Sequence, residues 1–126
     1  MGRSIVITLA CAIAVVAAAA AAQNEGDAAR GEKRFEACAS CHSVAAGEHG
    51  VGPSLHGIIG RKAASIEDFR YSPAMRKSDI TWTAETLNTF IADPQMVVPA
   101  NRMAYAGLTD AAERADLIAY LQQATK

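Results

Sequence analysis

Five consecutive residues, Cys38-Ala39-Ser40-Cys41-His42, constrain this chain more than any other feature, because they place two thiols beside an imidazole. A C-x-x-C pair can act as a dithiol redox couple or supply half of a zinc site. C-x-x-C-H is also the pattern of covalent haem attachment, in which each thiol adds to one haem vinyl group and the adjacent His becomes the proximal iron ligand. Chance would produce this pattern in roughly one such chain in a thousand, so a chemical role explains it better.

The alternatives to haem each lack something in this sequence. A four-ligand zinc site needs two more ligands, and after Ala22 the only other histidines are His49 and His56. A disulfide between Cys38 and Cys41 would close a loop too small to stabilise the fold appreciably. A covalently bound cofactor therefore explains the two thiols best, with zinc binding and thiol redox chemistry as the alternatives.

The first residues are unlike the rest of the chain and predict export. Arg3 gives a positive start, the 18 residues from Ile5 to Ala22 carry no charge, and the run ends in small alanines. We interpret 1–22 as a signal peptide and 23–126 as one exported domain. The length of the apolar run also allows an uncleaved membrane anchor, which is the alternative. Cys11 lies inside this segment and is assigned no role.

Composition excludes some partners. The chain has 13 acidic and 12 basic residues among 126, a formal charge of -1, which gives no support for nucleic-acid binding. The stretch Gly57-Ile58-Ile59-Gly60 lacks the spacing of a nucleotide-binding loop.

Helical patterns separated by irregular segments predict an all-α fold of three to four short helices with long loops. The segment from Ser43 to Lys62 contains five glycines and one proline and is predicted to be a long loop. Gly31 is unfavourable inside a helix and predicts close contact with the last helix, whose apolar stripe includes Leu117 and Leu121. The predicted helices run from the Asp27 cap toward Cys38, from the Thr83 cap to before Pro94, and from Asp110 to Ala124.

A sixth iron ligand would separate an electron carrier from a haem protein with an open iron. The candidate side chains are Met75, Met96, Met103, His49 and His56. Met103 is favoured because it ends a loop that contains two prolines and precedes the last helix, so that the loop could cross the open haem face.

Ordered sequence blocks then carry a family resemblance. Together with CASCH, the segments GPSLHGIIGRK, RYSPAM, DITW, DPQMVVPANRM and RADLIAYLQQATK resemble class I c-type cytochromes, of the soluble bacterial kind close to mitochondrial cytochrome c. The resemblance runs from about Asp27 to Lys126. It implies that 23–126 is a small cytochrome c domain in which short helices and long loops wrap around one covalently bound haem c.

The resemblance also implies roles for individual residues. Cys38 and Cys41 would form the thioethers, His42 and Met103 would ligate the iron, and the Pro53 carbonyl would accept a hydrogen bond from the other ring nitrogen of His42. A further set would contact the haem propionates or brace the lower haem edge: Arg61, Tyr71, Ser72, Trp82 and Asn101.

Some positions depart from the closest members of that family. Met75 stands for a usual Asn and Phe90 for a usual Tyr, which removes polar groups near Met103. Ala100 stands for a usual Gly, although Ala tolerates positive φ poorly. Rim lysines of mitochondrial relatives are replaced by Ala37, Gly50, Gln95 and Met96, while Lys33 and Arg102 remain.

By this resemblance the protein is expected to be a monomeric, periplasmic, non-enzymatic carrier of single electrons. The expected donor is a membrane quinol-oxidising cytochrome complex, and the expected acceptor is a terminal oxidase or a photosynthetic reaction centre. The competing classes are a haem enzyme or gas sensor with an open iron, and a haem-free thiol oxidoreductase.

Overall fold

The computed structural model describes Gly2 and residues 25–126, so nearly all of the proposed signal peptide 1–22 lies outside the described residues. The described part is helical and contains no strand, only isolated bridges between His42 and His49 and between Lys62 and Thr81. The prediction of an all-α fold is therefore confirmed. Within residues 25–126 five helices follow in order: α1 (Ala28–Ala39), α2 (Pro73–Lys77), α3 (Ala84–Ala92), α4 (Pro94–Val97) and α5 (Ala111–Ala124). None of the helices in this range has the length and apolar character to span a bilayer.

The three predicted helices start at their predicted caps. The Asp27 carboxylate accepts from the Arg30 N–H at 2.9 Å, and Thr83 and Thr86 form a reciprocal capping box at α3. Asp110 accepts from the Glu113 N–H at 2.9 Å, while the Glu113 carboxylate pairs with Arg34 of α1. Asp110 therefore caps the start of α5, as predicted. Glu113, the expected partner in a capping box, instead forms an ion pair that connects α5 to α1.

Two short helices were not predicted. Each begins with a cap followed by proline at the first helical position, Ser72-Pro73 for α2 and Asp93-Pro94 for α4. Helices of five and four residues are too short to show a hydrophobic period, so only these dipeptides could have indicated them.

The crossing of α1 over α5 is the tightest contact in the described part. A Cβ added to Gly31 would overlap the Asp116 carbonyl and meet the Tyr120 Cβ at 2.8 Å. The predicted close approach is thus confirmed, although the backbone that Gly31 meets is that of Asp116 and not of Leu117 or Leu121. Beside this contact, a small core cluster forms from Phe35, Leu117 and Leu121.

A second and larger cluster lies between the loops, α3 and α5. Its buried members are Ile58, Trp82, Leu87, Phe90, Val98 and Ile118. Leu55, Met75 and Met103 pack against this cluster but are only partly buried by protein atoms. Large apolar side chains left half-covered in a small domain indicate that another apolar group completes this side of the core.

Candidate haem site

The C-x-x-C-H segment forms the turn that ends α1. The N–H groups of Cys41 and His42 both donate to the Cys38 carbonyl, at 3.0 and 2.9 Å. Both thiols are free and partly buried. Burial, followed by the neighbouring Cys41, raises the pKa of the Cys38 thiol. A redox dithiol needs a thiol with a lowered pKa, and the raised pKa of Cys38 does not meet that requirement.

The His42 ring is held in one tautomer. Its Nδ1 lies 2.7 Å from the Pro53 carbonyl oxygen. A carbonyl can only accept, so Nδ1 carries the hydrogen, and in a neutral imidazole the lone pair is then on Nε2. This is the arrangement in which a histidine ligates a metal through Nε2 while a backbone oxygen fixes its orientation.

Gly52 makes that orientation possible, although its role was not predicted from the sequence. A Cβ at this position would overlap the His42 ring, so the backbone of Gly52 lies directly against the imidazole. The loop is held there by the Gly52 N–H, which donates to the Cys41 carbonyl at 2.9 Å, and by the Leu55 N–H, which donates to Ser43 at 2.8 Å. What could have indicated this role in the sequence is the dipeptide Gly52-Pro53, which lies in the loop that follows the C-x-x-C-H motif.

His49 bridges two loops. Its Nδ1 accepts from the Ser54 N–H at 2.9 Å, and its Nε2 lies 3.2 Å from the Asp68 carboxylate. Both ring nitrogens are engaged, which argues against His49 as the sixth iron ligand.

Polar donors gather around Arg61. Its guanidinium donates to the His56 carbonyl at 2.7 Å and to the Ser54 carbonyl at 3.0 Å. Burial lowers the pKa of Arg61, and within residues 25–126 no carboxylate lies at ion-pair distance from it. Burial, partly offset by nearby Arg61, raises the pKa of Tyr71. A half-buried cation beside a protonated phenol forms a suitable environment for an added anion such as a propionate.

Trp82 and Ser72 support this region from the side of the core. The Trp82 backbone donates to the Arg61 carbonyl at 2.9 Å, and its buried indole packs against the tilted ring of Phe90 with 4.9 Å between ring centroids. Ser72 is buried and caps α2 by accepting from the Met75 N–H at 3.0 Å.

Asn101 lies apart from this donor group and is engaged with the loop before α5. Its amide nitrogen donates to the carbonyls of Pro94 and Val98, both at 2.9 Å, and its oxygen accepts from the Met103 N–H at 2.8 Å. The structure therefore brings Arg61, Tyr71 and Trp82 together, whereas the Asn101 side chain holds the Met103 backbone.

The three methionines after residue 25 differ in exposure. Met96 is 76% exposed, whereas Met75 and Met103 pack partly buried against the larger cluster. Ala100, three residues before Met103, has φ +64°, the left-handed conformation that glycine adopts freely. A residue with a Cβ pays about 1 to 2 kcal/mol for this conformation, so the loop carries local strain.

These residues fit haem c. Two thiols are spaced for two vinyl groups, an imidazole presents a free Nε2, a thioether lies against an apolar wall, and a cation with no carboxylate partner among residues 25–126 is available for a propionate. Zinc fits less well, because no group of three or more His, Cys, Asp or Glu side chains within residues 25–126 could hold a metal ion.

The fold and the site define an all-α, haem-attaching electron carrier. The chain belongs to the cytochrome c family, since residues 28–125 match the family model described as Cytochrome c. Members of this family carry electrons on one haem c that is bound covalently through a Cys-x-x-Cys pair, and Cys38 and Cys41 have that spacing.

Individual relatives show the same likeness. Cytochrome c2 iso-2 of Magnetospirillum fulvum is 49% identical over 88 residues, which cover 70% of this chain and 92% of the relative. Cytochrome c2 of Blastochloris viridis is 44% identical over 110 residues, covering 86% and 87% of the two chains. Cytochrome c of Chlamydomonas reinhardtii is 46% identical over 102 residues, covering 79% of this chain and 91% of the relative. The match to both bacterial c2 and eukaryotic cytochrome c confirms the resemblance seen in the sequence.

Proposed function

We propose that this protein is a soluble periplasmic carrier of single electrons between membrane complexes, with haem c bound through Cys38 and Cys41 and ligated by His42 and Met103. The observation that carries the proposal is the 2.7 Å hydrogen bond from His42 Nδ1 to the Pro53 carbonyl. It leaves Nε2 as the free lone pair of an imidazole that directly follows the two thiols.

When bound, haem c supplies an iron that changes between the ferrous and ferric states and so carries one electron. The chain's residues set the conditions for this chemistry. Pro53 orients His42, and Arg61 and Tyr71 would donate to the haem propionates. Ser72 and Trp82 would brace the same edge of the haem, the apolar cluster around Phe90 would exclude water, and Asn101 holds the backbone of Met103.

The same ligand set supports a carrier over an enzyme. His42 and Met103 would both hold the iron, and with two protein ligands in place a substrate or a gas would find no open coordination position. A thioether ligand also raises the reduction potential relative to a second histidine.

The remaining assignments follow from the sequence. We propose cleavage after Ala22, export to the periplasm and function as a monomer of residues 23–126, with an uncleaved membrane anchor as the alternative. The proposed donor is a quinol-oxidising cytochrome complex and the proposed acceptor is a terminal oxidase or a photosynthetic reaction centre. The names of the bacterial relatives, cytochrome c2, support a carrier of this kind.

One absorption spectrum of the purified ferric protein tests the proposal against its competitors. A Soret band with the weak charge-transfer band of methionine sulfur on ferric iron is the expected result. A high-spin spectrum would indicate an open iron, and a protein without a Soret band would have only thiol chemistry.

A further inference from the structure

Two side-chain amides hold the loop that ends at Met103. Asn101 is 8% exposed, and its amide bonds to two carbonyls of the α4 turn and to the Met103 N–H. It thus joins the start of the loop directly to the backbone of Met103. These hydrogen bonds form only while the backbone of Asn101 stays in its position.

The second amide is that of Gln95, at the start of α4. Its Oε1 accepts from the Ala100 N–H at 3.2 Å, and its Nε2 donates to the Asn101 carbonyl at 3.2 Å. The two bonds lie on either side of the Ala100–Asn101 peptide unit. Ala100 is the residue in the left-handed conformation, with φ +64° and an exposed side chain. Gln95 therefore holds the one place in this loop where an L-residue is strained.

We propose that Gln95 is a positioning residue for the Met103 thioether. The Gln95 staple, defined as Gln95 with Ala100 and Asn101, stabilises the left-handed turn and so keeps the Asn101 amide where it can hold Met103. This inference rests on the proposed function, because it assumes that Met103 is the sixth ligand. It adds that the strength of this ligation depends on a side chain whose hydrogen bonds within residues 25–126 go to Ala100 and Asn101 and not to Met103.

The expected effect follows from the two hydrogen bonds. Both hydrogen bonds are long, at 3.2 Å, and one is exposed while the other is part-buried, so together they should bias the loop toward its closed form by a modest factor. Removing them should raise the population of loop conformations in which Met103 has left its position by about three- to tenfold. The rate of cyanide binding to the ferric protein reports this population.

The test uses the haem-loaded protein with Gln95→Met, which keeps the length of the side chain and removes both hydrogen bonds. Gln122→Met on the exposed surface of α5 is the matched control. Cyanide should bind Gln95→Met about three- to tenfold faster than wild type. Gln122→Met should match wild type in this measurement.

Ala100→Gly adds a second arm, because glycine adopts this φ without strain. In the Gln95→Met background, Ala100→Gly should restore a cyanide rate within about twofold of wild type. Equal acceleration in the single and double variants would overturn the link between the staple and Ala100. A Gln95→Met rate equal to that of Gln122→Met would overturn the positioning role.

Amide hydrogen exchange separates this inference from the proposed function. Exchange at the Ala100 N–H should be faster in Gln95→Met than in Gln122→Met, whichever side chain ligates the iron. If wild type lacked the methionine charge-transfer band, the assignment of Met103 would fail, and the exchange rates would still test the staple. Unchanged exchange at Ala100 would contradict the staple itself.

Discussion

The crossing of α1 over α5 and the loop 94–103 are held in opposite ways. At the crossing, the buried Asp116 carboxylate accepts from the Asp27 N–H at 2.7 Å and from two guanidinium nitrogens of Arg30 at 2.8 and 3.0 Å. Helix packing is so close there that Gly31 has no space for a Cβ. Protein atoms alone complete the packing and the hydrogen bonds at this crossing.

The loop is held by neutral side-chain amides, whereas the crossing is held by an ion pair, and much of the loop surface is exposed to solvent. Met96 is 76% exposed, Ala100 is strained, and Met103 is only partly covered by protein. This difference indicates that the helix crossing and the loop have different roles in the domain. We expect the helix crossing to be stable without the cofactor, and the loop to reach its full set of contacts only when Met103 ligates the iron.

The largest expected effect is on stability, from Gly31→Val. The added Cβ meets backbone atoms of Asp116, which cannot rotate away, so the helices must separate. We expect a loss of about 3 kcal/mol or somewhat more in the free energy of unfolding, measured from guanidinium midpoints. Ala29→Val, at an exposed position of α1, controls for the lower helix propensity of valine. Equal midpoints for the two variants would show that the helices do not cross tightly at Gly31.

A smaller effect is expected from Asp116→Asn, and it should depend on pH. The hydrogen bond from Arg30, followed by that from the Asp27 N–H, lowers the pKa of Asp116 below its usual value. A carboxylate with a lowered pKa contributes stability in full above its unfolded pKa of about 3.9 and loses it as the pH falls through the folded value. Wild type should therefore exceed Asp116→Asn in stability most at pH 7, and the two should converge below about pH 4.

Asp79→Asn is the control for that variant. The pKa of Asp79 is also lowered, by Lys62, but its side chain is 93% exposed, and exposed ion pairs contribute little. Urea midpoints measured from pH 7 to pH 2.5 compare the three proteins. If Asp79→Asn and Asp116→Asn behaved alike, the clamp between α1 and α5 would be no stronger than a surface pair.

The smallest effect is expected at the exposed rim beside the loop. Residues 23–126 carry 11 basic and 13 acidic side chains, a formal charge of -2. Ala37, Met96 and Ala100, which the family resemblance places at the haem-edge rim, are exposed and uncharged. Docking should therefore depend on short-range apolar contact. We expect the rate of electron transfer to the physiological partner to change by less than about threefold between low and physiological salt.

Met96→Lys sharpens this expectation, because it adds a positive charge at the rim. It should increase the salt dependence with an acidic partner, whereas Gln123→Lys on the exposed surface of α5 should not. A wild-type rate that falls about a hundredfold with salt in stopped-flow experiments would mean that charge steers docking. The basic residues between Arg61 and Lys77 would then belong to the interface.

Sequence patterns predicted local features well and distant polar contacts poorly. Asp27 and Gly31 were identified because caps and mid-helix glycines carry their meaning within a few residues. The role of Asp116 was not predicted, because its hydrogen-bond partners lie 86 and 89 residues away in the sequence. In addition, a charged residue in an otherwise apolar helical pattern is normally interpreted as facing solvent. The hydrogen bonds of Gln95 were not predicted either. They depend on the φ of Ala100, and the identity of residue 100 does not by itself reveal that angle.

The most direct test of the whole account is the ferric spectrum of Met103→Ala beside that of Met96→Ala. With Met103 as the sixth ligand, Met103→Ala should keep haem attached through Cys38 and Cys41, lose the methionine charge-transfer band, and bind cyanide far faster than wild type. Met96→Ala should keep that band, since its side chain lies in solvent. An unchanged spectrum for Met103→Ala together with an altered one for Met96→Ala would contradict the assignment of Met103 and the account of the loop built on it.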